Sequence, residues 1–251
     1  MSSTSFKNAK YGIFSDEFKQ WIQVADLSAL AARGKLPPPL IRQAVKEAEA
    51  LIPDPFPGIK YEDFPIIAEG VSARVFRQKD QSLDERNLRP LALILHGGGW
   101  IIGTHNSEAG IIEALVGKLG FVGVSIEYRL APEHPYPIPF NDSYGGFQWV
   151  IENATKFGAD PNCIFVAGSS AGANLAAAIT LKARDEGLNN IKAQILIIPA
   201  TCDYRHHPKD RYELESYETC KNVPILPAEN MTGYWSMWRL IKSVPSSYAN
   251  Q

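Results

Sequence analysis

The chain has 251 residues, and its 25 Lys and Arg against 27 Asp and Glu give a formal net charge of −2 at pH 7. This near-neutral balance argues against a nucleic acid or an anionic membrane surface as the main partner. Hydrophobic residues make up 45% and charged residues 21% of the chain. That composition is typical of a globular protein with a sizeable core and not of a disordered chain.

The N-terminal segment and the cysteines predict a cytoplasmic protein. Residues 1–10 lack the apolar stretch of a secretory signal, and no run of about 18 apolar residues could span a membrane. Cys163, Cys202 and Cys220 are odd in number and have no CxxC spacing. This pattern disfavours both a disulfide framework and a zinc site, so we expect unmodified thiols and no metal.

Two amphipathic helices are predicted ahead of the first strand, over residues 15–33 and 40–52. Their apolar residues fall on one face of each helix: Phe18, Trp21, Ile22, Ala25 and Ala29 in the first, and Ile41, Val45, Ala48 and Ile52 in the second. Ser15 is a suitable N-cap for the first helix. Two such helices have no core of their own. We therefore expect residues 1–55 to form a helical cap segment on a core built from residues 56–251.

From about residue 60 the pattern changes to strands that alternate with helices. The predicted elements are strands at 61–67, 71–77 and 91–95, a helix at 108–118, a strand at 121–127, a helix at 142–155, a strand at 163–167, a helix at 171–185 and a strand at 193–198. The continuous apolar run 91–95 is typical of a strand buried on both faces. The alternation predicts an α/β fold whose sheet is mostly parallel, with helices on both faces and ligands at the carboxyl ends of the strands.

A G-x-S-x-G motif lies between a predicted strand and a predicted helix, at residues 168–172. A nucleophile elbow requires such a sharp turn with small flanking residues, because its serine is held in a strained backbone conformation. Ser170 is therefore a candidate nucleophile. Gly168 and Gly172 allow the turn to close, and the amide of Ala171 points toward the site from the helix N-terminus. An ordinary strand-to-helix turn is the alternative.

A glycine triplet directly follows the predicted strand 91–95, where residues 96–100 read His-Gly-Gly-Gly-Trp. Such a triplet leaves backbone N–H groups free to stabilise a developing oxyanion. A phosphate-binding loop is disfavoured, because neither Gly-Lys-Ser/Thr nor G-x-G-x-x-G is present. A flexible turn is the remaining alternative. His96 lies in the oxyanion loop and is interpreted as a structural hydrogen-bonding residue, not as the base.

A third motif follows the strand 121–127, where residues 128–137 read YRLAPEHPYP. By itself it predicts a proline-rich loop, with an ion pair available between Arg129 and Glu133. The three motifs in this order resemble the hormone-sensitive-lipase-type branch of the α/β-hydrolases. That branch includes many microbial and fungal carboxylesterases, among them esterases of polyketide and toxin pathways. The resemblance runs from about residue 15 to residue 237.

The resemblance implies an α/β-hydrolase fold with a serine nucleophile. It implies that Ser170 attacks the substrate and that the amides of Gly98, Gly99 and Ala171 donate hydrogen bonds to the oxyanion. It further implies that the helices at 15–52 cover the acyl pocket. The residues that support these groups are His96, Gly97, Gly168 and Gly172.

The sequence departs from the family pattern in two places. The family usually has Asp at the position of Ser169. Its triad also follows the order Ser, then Asp or Glu, then His, whereas the stretch from Ser170 to Gln251 is too short for the two remaining strands. Residues 224–238 resemble the segment that leads into the family's next helix. We therefore expect a C-terminally shortened hydrolase without its last strands.

The missing acid and base leave few substitutes. The histidines after the motif are the adjacent pair His206 and His207, and Asp203 lies just before them. Asp203 is a candidate for the acid that orients the base, and His206 is a candidate substitute base, although it comes from the wrong loop. A solvated loop is the favoured interpretation of both histidines.

The sequence thus predicts a serine carboxylesterase-type hydrolase that acts on a small or medium apolar ester, in secondary-metabolite biosynthesis if the fungal resemblance extends that far. The alternative is a non-catalytic ligand-binding protein or an inactive member of the same family. We expect a small-molecule substrate, no cofactor and no nucleic acid. Dimers are common among such enzymes, so a homodimer is also an expectation.

Overall fold

The computed structural model describes residues 15–24, 36–52, 54–67, 70–82, 86–208, 217–218, 221–223 and 226–239. The helices are α1 (Asp16–Val24), α2 (Pro38–Ala50), α3 (Ala109–Ile112, continued by a π-helical segment Glu113–Lys118), α4 (Ile138–Asn153), α5 (Ser170–Asp185) and α6 (Ala228–Trp238). The strands are β1 (Ile59–Pro65), β2 (Ser72–Gln78), β3 (Arg89–Leu95), β4 (Val122–Glu127), β5 (Ala159–Ser169) and β6 (Ile191–Ile197). Short 3-10 turns cover Ala154–Phe157 and Tyr204–His206.

The described strands form one six-stranded sheet in the order β1-β2-β4-β3-β5-β6. Strands β4, β3, β5 and β6 are parallel, whereas β2 runs antiparallel to both of its neighbours. This confirms the predicted α/β class and the mostly parallel sheet. The parallel strands place their carboxyl ends at one edge, where the loops that carry the three motifs meet.

The core lies on both faces of the sheet. Leu93 of β3 packs with Phe147 of α4 and Leu175 of α5 on one face. Ile94, the next residue, belongs to a second cluster with Ile112 of α3 on the other face. The side chains of Leu93, Ile94 and Ile112 are fully shielded from solvent. A strand buried on both faces explains why its sequence is continuously apolar instead of alternating.

Helix α1 begins where the sequence predicts, at the residue after Ser15. The Ser15 Oγ accepts a hydrogen bond from the Phe18 amide at 3.2 Å, which is the expected N-cap contact. The rings of Phe18 and Trp21 stack with centroids 5.5 Å apart, and Trp21 stays 41% exposed. The remainder of the predicted helix, residues 25–33, includes Ala25 and Ala29 and lies outside the described residues.

Helix α2 contacts the core through polar side chains. Arg42 donates from Nε to the carbonyl oxygen of Ile101 and from Nη2 to that of Ala131, both at 2.6 Å. Thr104 Oγ1 donates to Glu49 Oε1 at 2.5 Å. These contacts hold α2 against two of the motif-bearing loops at the carboxyl edge of the sheet.

The apolar face predicted for the second helix is therefore only partly correct. Ile41 and Val45 are half-buried, but Ala48 is exposed and Ile52, beyond the helix end, is 52% exposed. The prediction assumed that this helix docks by apolar packing. Arg42 and Glu49, two turns apart on the same side, make the contacts instead.

Helix α6 packs on the loop that follows β3. Trp100 lies against Trp235 and Trp238, with ring centroids 4.6 Å apart in each pair. The Tyr136 amide donates to the carbonyl oxygen of Trp238 at 2.9 Å and fixes the C-terminal end of the helix. Within the segment 224–238, the described residues Ala228–Trp238 are thus helical. No described helix is long and apolar enough to cross a membrane.

We expect Gly233→Ala to stabilise the protein by about 0.5–1 kcal/mol, because glycine within a helix is disfavoured relative to alanine. Gly233 lies within α6, and a Cβ added there would meet nothing within 4 Å. Chemical denaturation at pH 7.5 measures the change. A fall in the free energy of unfolding would mean that α6 is not a stable helix in solution.

Candidate active site

Ser170 lies at the sharp turn between β5 and α5. Its φ angle is +49°, in the left-handed region that residues other than glycine rarely adopt. Ser169, just before it, is extended with φ −115° and ψ 149°. The change from extended to left-handed and then helical backbone within three residues lifts Ser170 out of the strand. This is the strained geometry of a nucleophile elbow.

Close backbone packing at the elbow explains its two flanking glycines. A Cβ on Gly168 would lie 2.6 Å from the carbonyl oxygen of Leu95, and one on Gly172 would lie 2.0 Å from the same atom. It would also lie 2.6 Å from the carbonyl oxygen of His96. Position 172 therefore accepts no side chain, because the obstacle is the backbone of β3.

The glycine loop after β3 turns by means of positive φ angles. Gly98 has φ +106° and Gly99 has φ +62°. The amides of Ile101 and Ile102 both donate to the carbonyl oxygen of Gly98 at 3.1 Å, which closes the turn. Within the described ranges the backbone N–H groups of Gly98 and Gly99 donate no hydrogen bond. Both N–H groups are therefore free to bind an anionic ligand.

Tyr234 of α6 covers the glycine loop. A Cβ on Gly99 would lie 2.7 Å from the Tyr234 ring, so the aromatic face rests directly on the loop backbone. Burial raises the pKa of the Tyr234 phenol. Sequence reasoning did not single out Tyr234, because the contact joins residues far apart in the chain.

Glu108 connects the glycine loop to the elbow. Its Oε1 atom accepts a hydrogen bond from the Gly97 amide at 2.8 Å and another from Ser169 Oγ at 2.6 Å. Glu108 is 8% exposed. Sequence reasoning missed this residue too, although a glutamate just before a helix with no cation nearby in the chain is a weak signal of an inward-facing carboxylate.

His96 is enclosed and neutral. Its ring stacks on Tyr128 with centroids 4.2 Å apart, and Tyr128 Oη donates to the His96 carbonyl oxygen at 2.7 Å. Burial lowers the pKa of His96 to about 4, partly offset by the contact of Nδ1 with the Gly97 carbonyl oxygen at 2.8 Å. A fully buried ring of this kind agrees with a structural role.

A second buried histidine lies behind the glycine loop. The Nε2 atom of His105 is 2.9 Å from Ser72 Oγ and 3.4 Å from Glu127 Oε2. Burial, together with the nearby Arg74 guanidinium, lowers the pKa of His105 to about 3. Burial raises the pKa of Glu127. The imidazole is therefore neutral at pH 7, and its contact with Glu127 is not an ion pair.

The proline-rich loop after β4 is fixed by an ion pair other than the predicted one. Arg129 binds Asp142 of α4 through Nε at 2.8 Å and Nη2 at 2.6 Å, and not Glu133. Glu133 instead pairs with Arg42 of α2 at 2.8 Å. The expected Arg129–Glu133 pair was wrong because the tertiary structure brings each residue to a partner on another element, Arg129 to Asp142 of α4 and Glu133 to Arg42 of α2.

Asp203 is buried after β6, but its partners are arginines. Arg205 binds its carboxylate through Nε and Nη2, the latter at 2.6 Å, and Arg239 Nη1 is 3.6 Å away. Burial opposes ionisation of Asp203, yet the hydrogen bonds from Arg205 outweigh it, so the pKa of this carboxyl is lowered. The carboxylate is therefore not available to orient a histidine in this arrangement.

His206 is exposed, and its Nε2 lies against Arg239 Nη1. Neither His206 nor Asp203 forms a hydrogen bond with Ser170 in the part of the chain that the structure describes. The loop after β6 does contact the elbow three residues before Asp203, where the Ala200 amide donates to the Ser170 carbonyl oxygen at 3.2 Å. The structure thus brings the glycine loop and the elbow together but not the speculative acid and base.

The described cysteines form no disulfide. Cys163 and Cys202 are free and half-buried, and Cys220 lies outside the described residues. Burial raises the pKa of the Cys202 thiol, and the nearby Asp203 carboxylate adds to the shift. A raised pKa makes this thiol a poor nucleophile, because the thiolate is the reactive form.

A strained serine, a glycine loop with free amides and a sheet that carries both at its carboxyl edge are the parts of a hydrolase site. A family model described as alpha/beta hydrolase fold matches residues 92–250. The chain belongs to the α/β-hydrolase family, in its hormone-sensitive-lipase-type branch. This confirms the resemblance that the three motifs indicate.

Several curated relatives of the chain are named as esterases. It is 36% identical over 149 residues to carboxylesterase NlhH of Mycobacterium tuberculosis, which covers 59% of this chain and 46% of that protein. It is 30% identical over 186 residues to versiconal hemiacetal acetate esterase of Dothistroma septosporum, which covers 72% of this chain and 55% of that protein. The chain spans about half the length of the curated relatives it matches.

Solved structures agree with the fold. An ester-hydrolase from the metagenome of Lake Arreo superposes with a TM-score of 0.76 at 27% identity, over 95% of this chain and 74% of that chain. A fungal esterase from Rhizomucor miehei superposes with a TM-score of 0.70 at 28% identity, over 83% of this chain and 64% of that chain. Both similarities support an esterase-type hydrolase family for this protein.

Proposed function

We propose that this protein is a serine carboxylesterase-type hydrolase of a small or medium apolar ester, with Ser170 as its nucleophile. The observation that carries the proposal is the backbone of Ser170, whose φ of +49° is a strained conformation at a strand-to-helix turn. Such strain persists only where the surrounding structure enforces it, and it is typical of functional sites. An ordinary turn would not require it.

The reaction divides into two steps. Ser170 Oγ attacks the carbonyl carbon of the ester, and the negative charge that forms on the carbonyl oxygen accepts hydrogen bonds from the amides of Gly98, Gly99 and Ala171. The tetrahedral species collapses, the bond to the alcohol oxygen breaks, and the alcohol leaves with the proton that Ser170 Oγ has lost, while the acyl group stays on Ser170. Water then attacks the acyl-enzyme and releases the carboxylic acid.

The nature of the site supports an apolar substrate. Tyr234 covers the glycine loop and its aromatic side chain is only half-buried. Helix α2 is held over the neighbouring loops by Arg42, which agrees with a cap formed by residues 1–55. The fungal relative named versiconal hemiacetal acetate esterase supports a role in secondary metabolism.

The alternative is a ligand-binding or inactive member of the family. The observation that favours it concerns the candidate acid and base. The Asp203 carboxylate binds Arg205, and His206 is exposed, so no base contacts Ser170 within the described residues. Serine without a base is a weak nucleophile, and a site that lacks a triad member retains only about 10³–10⁴-fold catalysis over water.

Hydrolysis of p-nitrophenyl acetate by the full 251-residue chain tests the proposal. We expect p-nitrophenolate release above the buffer rate and an acetyl group on the peptide that contains Ser170. Ser170→Ala should reduce release to the buffer rate. Ser82→Ala, at an exposed loop serine, is the matched control and should keep the activity.

His206→Ala distinguishes the remaining possibilities. Loss of hydrolysis in this variant would make His206 the base, whereas unchanged hydrolysis would place the base elsewhere. Release that survives Ser170→Ala would refute the esterase proposal. If the folded chain binds an apolar ester in calorimetry but neither releases p-nitrophenolate nor becomes acetylated, the ligand-binding alternative is correct.

A further inference from the structure

The glycine loop and the elbow belong to different parts of the chain, and one carboxylate bridges them. Gly97 is the second residue after β3 ends, and Ser169 is the last residue of β5. Glu108, at the N-terminus of α3, accepts from the amide of the first and the hydroxyl of the second with the same oxygen, at 2.8 and 2.6 Å. Three separate elements therefore meet at Glu108 Oε1.

The Ser169 hydroxyl does not cap helix α5, although Ser169 is at the N-cap position. Ser169 is the N-cap residue of α5, where a serine side chain normally accepts a hydrogen bond from a helix amide. In this structure Ser169 makes no side-chain cap and donates to Glu108 instead. The first amides of α5, including that of Ala171, are therefore not bound by this hydroxyl.

The contact leaves no free space. A Cβ on Gly97 would lie 2.7 Å from Ser169 Oγ and 3.5 Å from Glu108 Oε1. Glu108 forms no ion pair within the described ranges, so two hydrogen-bond donors alone compensate its buried charge. Hydrogen bonds to a charged group are the stronger kind, and removal of a partner leaves the other group buried and unsatisfied.

The bond from Gly97 also determines which amides face the site. A peptide N–H that points to Glu108 cannot at the same time donate to an oxyanion. The amides of Gly98 and Gly99, which have no described acceptor, remain as the donors of the loop. The Gly97 amide is held by Glu108 and the Gly98 carbonyl oxygen by the Ile101 and Ile102 amides, so the backbone between these two points is fixed at both ends.

We propose that Glu108 is a positioning residue that locks the glycine loop to the nucleophile elbow, so that the Gly97 amide is held away from the oxyanion and the Gly98 and Gly99 amides face it. The consequence for catalysis rests on the esterase function proposed above. The two hydrogen bonds that join the loop and the elbow through Glu108 do not depend on that function, because they are contacts of the folded chain.

Backbone amide exchange by NMR tests the lock independently of activity. In Glu108→Ala, the Gly97 amide should exchange about tenfold faster or more than in the parent protein, the expected result of losing a charge-assisted hydrogen bond. Glu108→Gln keeps the shape and should give a smaller increase. The Leu93 amide in the centre of β3 should not change, which separates a local effect from global unfolding.

Two further variants complete the experiment. Glu113→Gln removes an exposed carboxylate five residues further along that pairs with Lys118, and it should leave Gly97 exchange unchanged. The double variant Glu108→Gln with Ser169→Asp restores a carboxylate at the same junction and should slow Gly97 exchange again. Rescue of this kind is not expected if Glu108 only fills space.

Covalent labelling of Ser170 by an aryl phosphonate gives the catalytic readout. Glu108→Ala should lower the maximal labelling rate about tenfold or more without changing the half-saturating concentration, and the double variant should recover it. Unchanged Gly97 exchange in Glu108→Ala would overturn the lock. If the parent chain is not labelled at all, the proposed esterase function fails, while the exchange result still decides the role of Glu108.

Discussion

Gly172→Ala is expected to destabilise the protein by about 3 kcal/mol or more. Alanine is the better helix former by about 1 kcal/mol, so propensity alone predicts the opposite sign. The packing reverses it, because the new Cβ would lie 2.0 Å from the Leu95 carbonyl oxygen and 2.6 Å from that of His96. Both obstacles are backbone atoms at the end of β3, so relief requires α5 to move away from the sheet.

Gly110→Ala is the matched control. Gly110 is also a helical glycine, in α3, but a Cβ there would meet nothing within 4 Å. Its free energy of unfolding in a denaturant titration should not fall. If Gly172→Ala proved as stable as the parent protein, the close approach of α5 to β3, on which the elbow geometry depends, would be wrong.

Gly172 also shows why the centre of the site was predictable from sequence. A strand followed by small residues and a helix can be identified within a few positions, even though the two glycines are required by the close approach of the backbone after Leu95. The apolar run 91–95 and the G-x-S-x-G motif therefore placed β3, β5 and Ser170 at the correct edge of the sheet. The carboxyl ends of parallel strands lie at one edge of a sheet, so the meeting of the two loops could be predicted without information on tertiary contacts.

Contacts between distant residues were not predictable in the same way. Glu108 reaches Ser169 across 61 positions, and its sequence surroundings resemble any acidic residue at a helix start. Arg129 had two carboxylates within reach along the chain, and only the three-dimensional path of the loop decides for Asp142 over Glu133. In both cases the partner is determined by tertiary geometry, not by spacing.

The predicted starts of two helices were wrong for a different reason. The sequence predicted a helix from residue 142, whereas α4 begins at Ile138. The run Pro137-Ile138-Pro139 was interpreted as part of a loop, but proline is well tolerated in the first turn of a helix, where its missing N–H has no partner to lose. The same rule explains why α2 begins at Pro38 and not at residue 40.

The two buried histidines are expected to make stability depend strongly on pH below 6.5. His96 and His105 have pKa values of about 4 and about 3 in the folded state, each depressed from 6.5 mainly by burial. The unfolded chain therefore binds more protons than the folded one between pH 6.5 and 4, and the stabilisation present above pH 6.5 is lost as the pH falls through that window. At pH 5 each histidine costs about 2 kcal/mol, so together they cost about 4 kcal/mol of a total that is usually 5–15.

Urea titrations at intervals between pH 6.5 and 5.5 measure this linkage most cleanly. The raised pKa of Glu127 increasingly opposes the effect as the pH falls, because the folded state then retains a proton that the unfolded state has released. The slope should rise from about one proton taken up on unfolding at pH 6.5 to nearly two at pH 5.5, because each unfolded histidine is half-protonated at its pKa of about 6.5. His105→Gln, which can still hydrogen-bond to Ser72, should about halve the slope at each pH. A free energy of unfolding that stays flat across the range in the parent protein would show that neither imidazole is buried in the neutral form, and would remove the structural role assigned to His96 beneath the glycine loop.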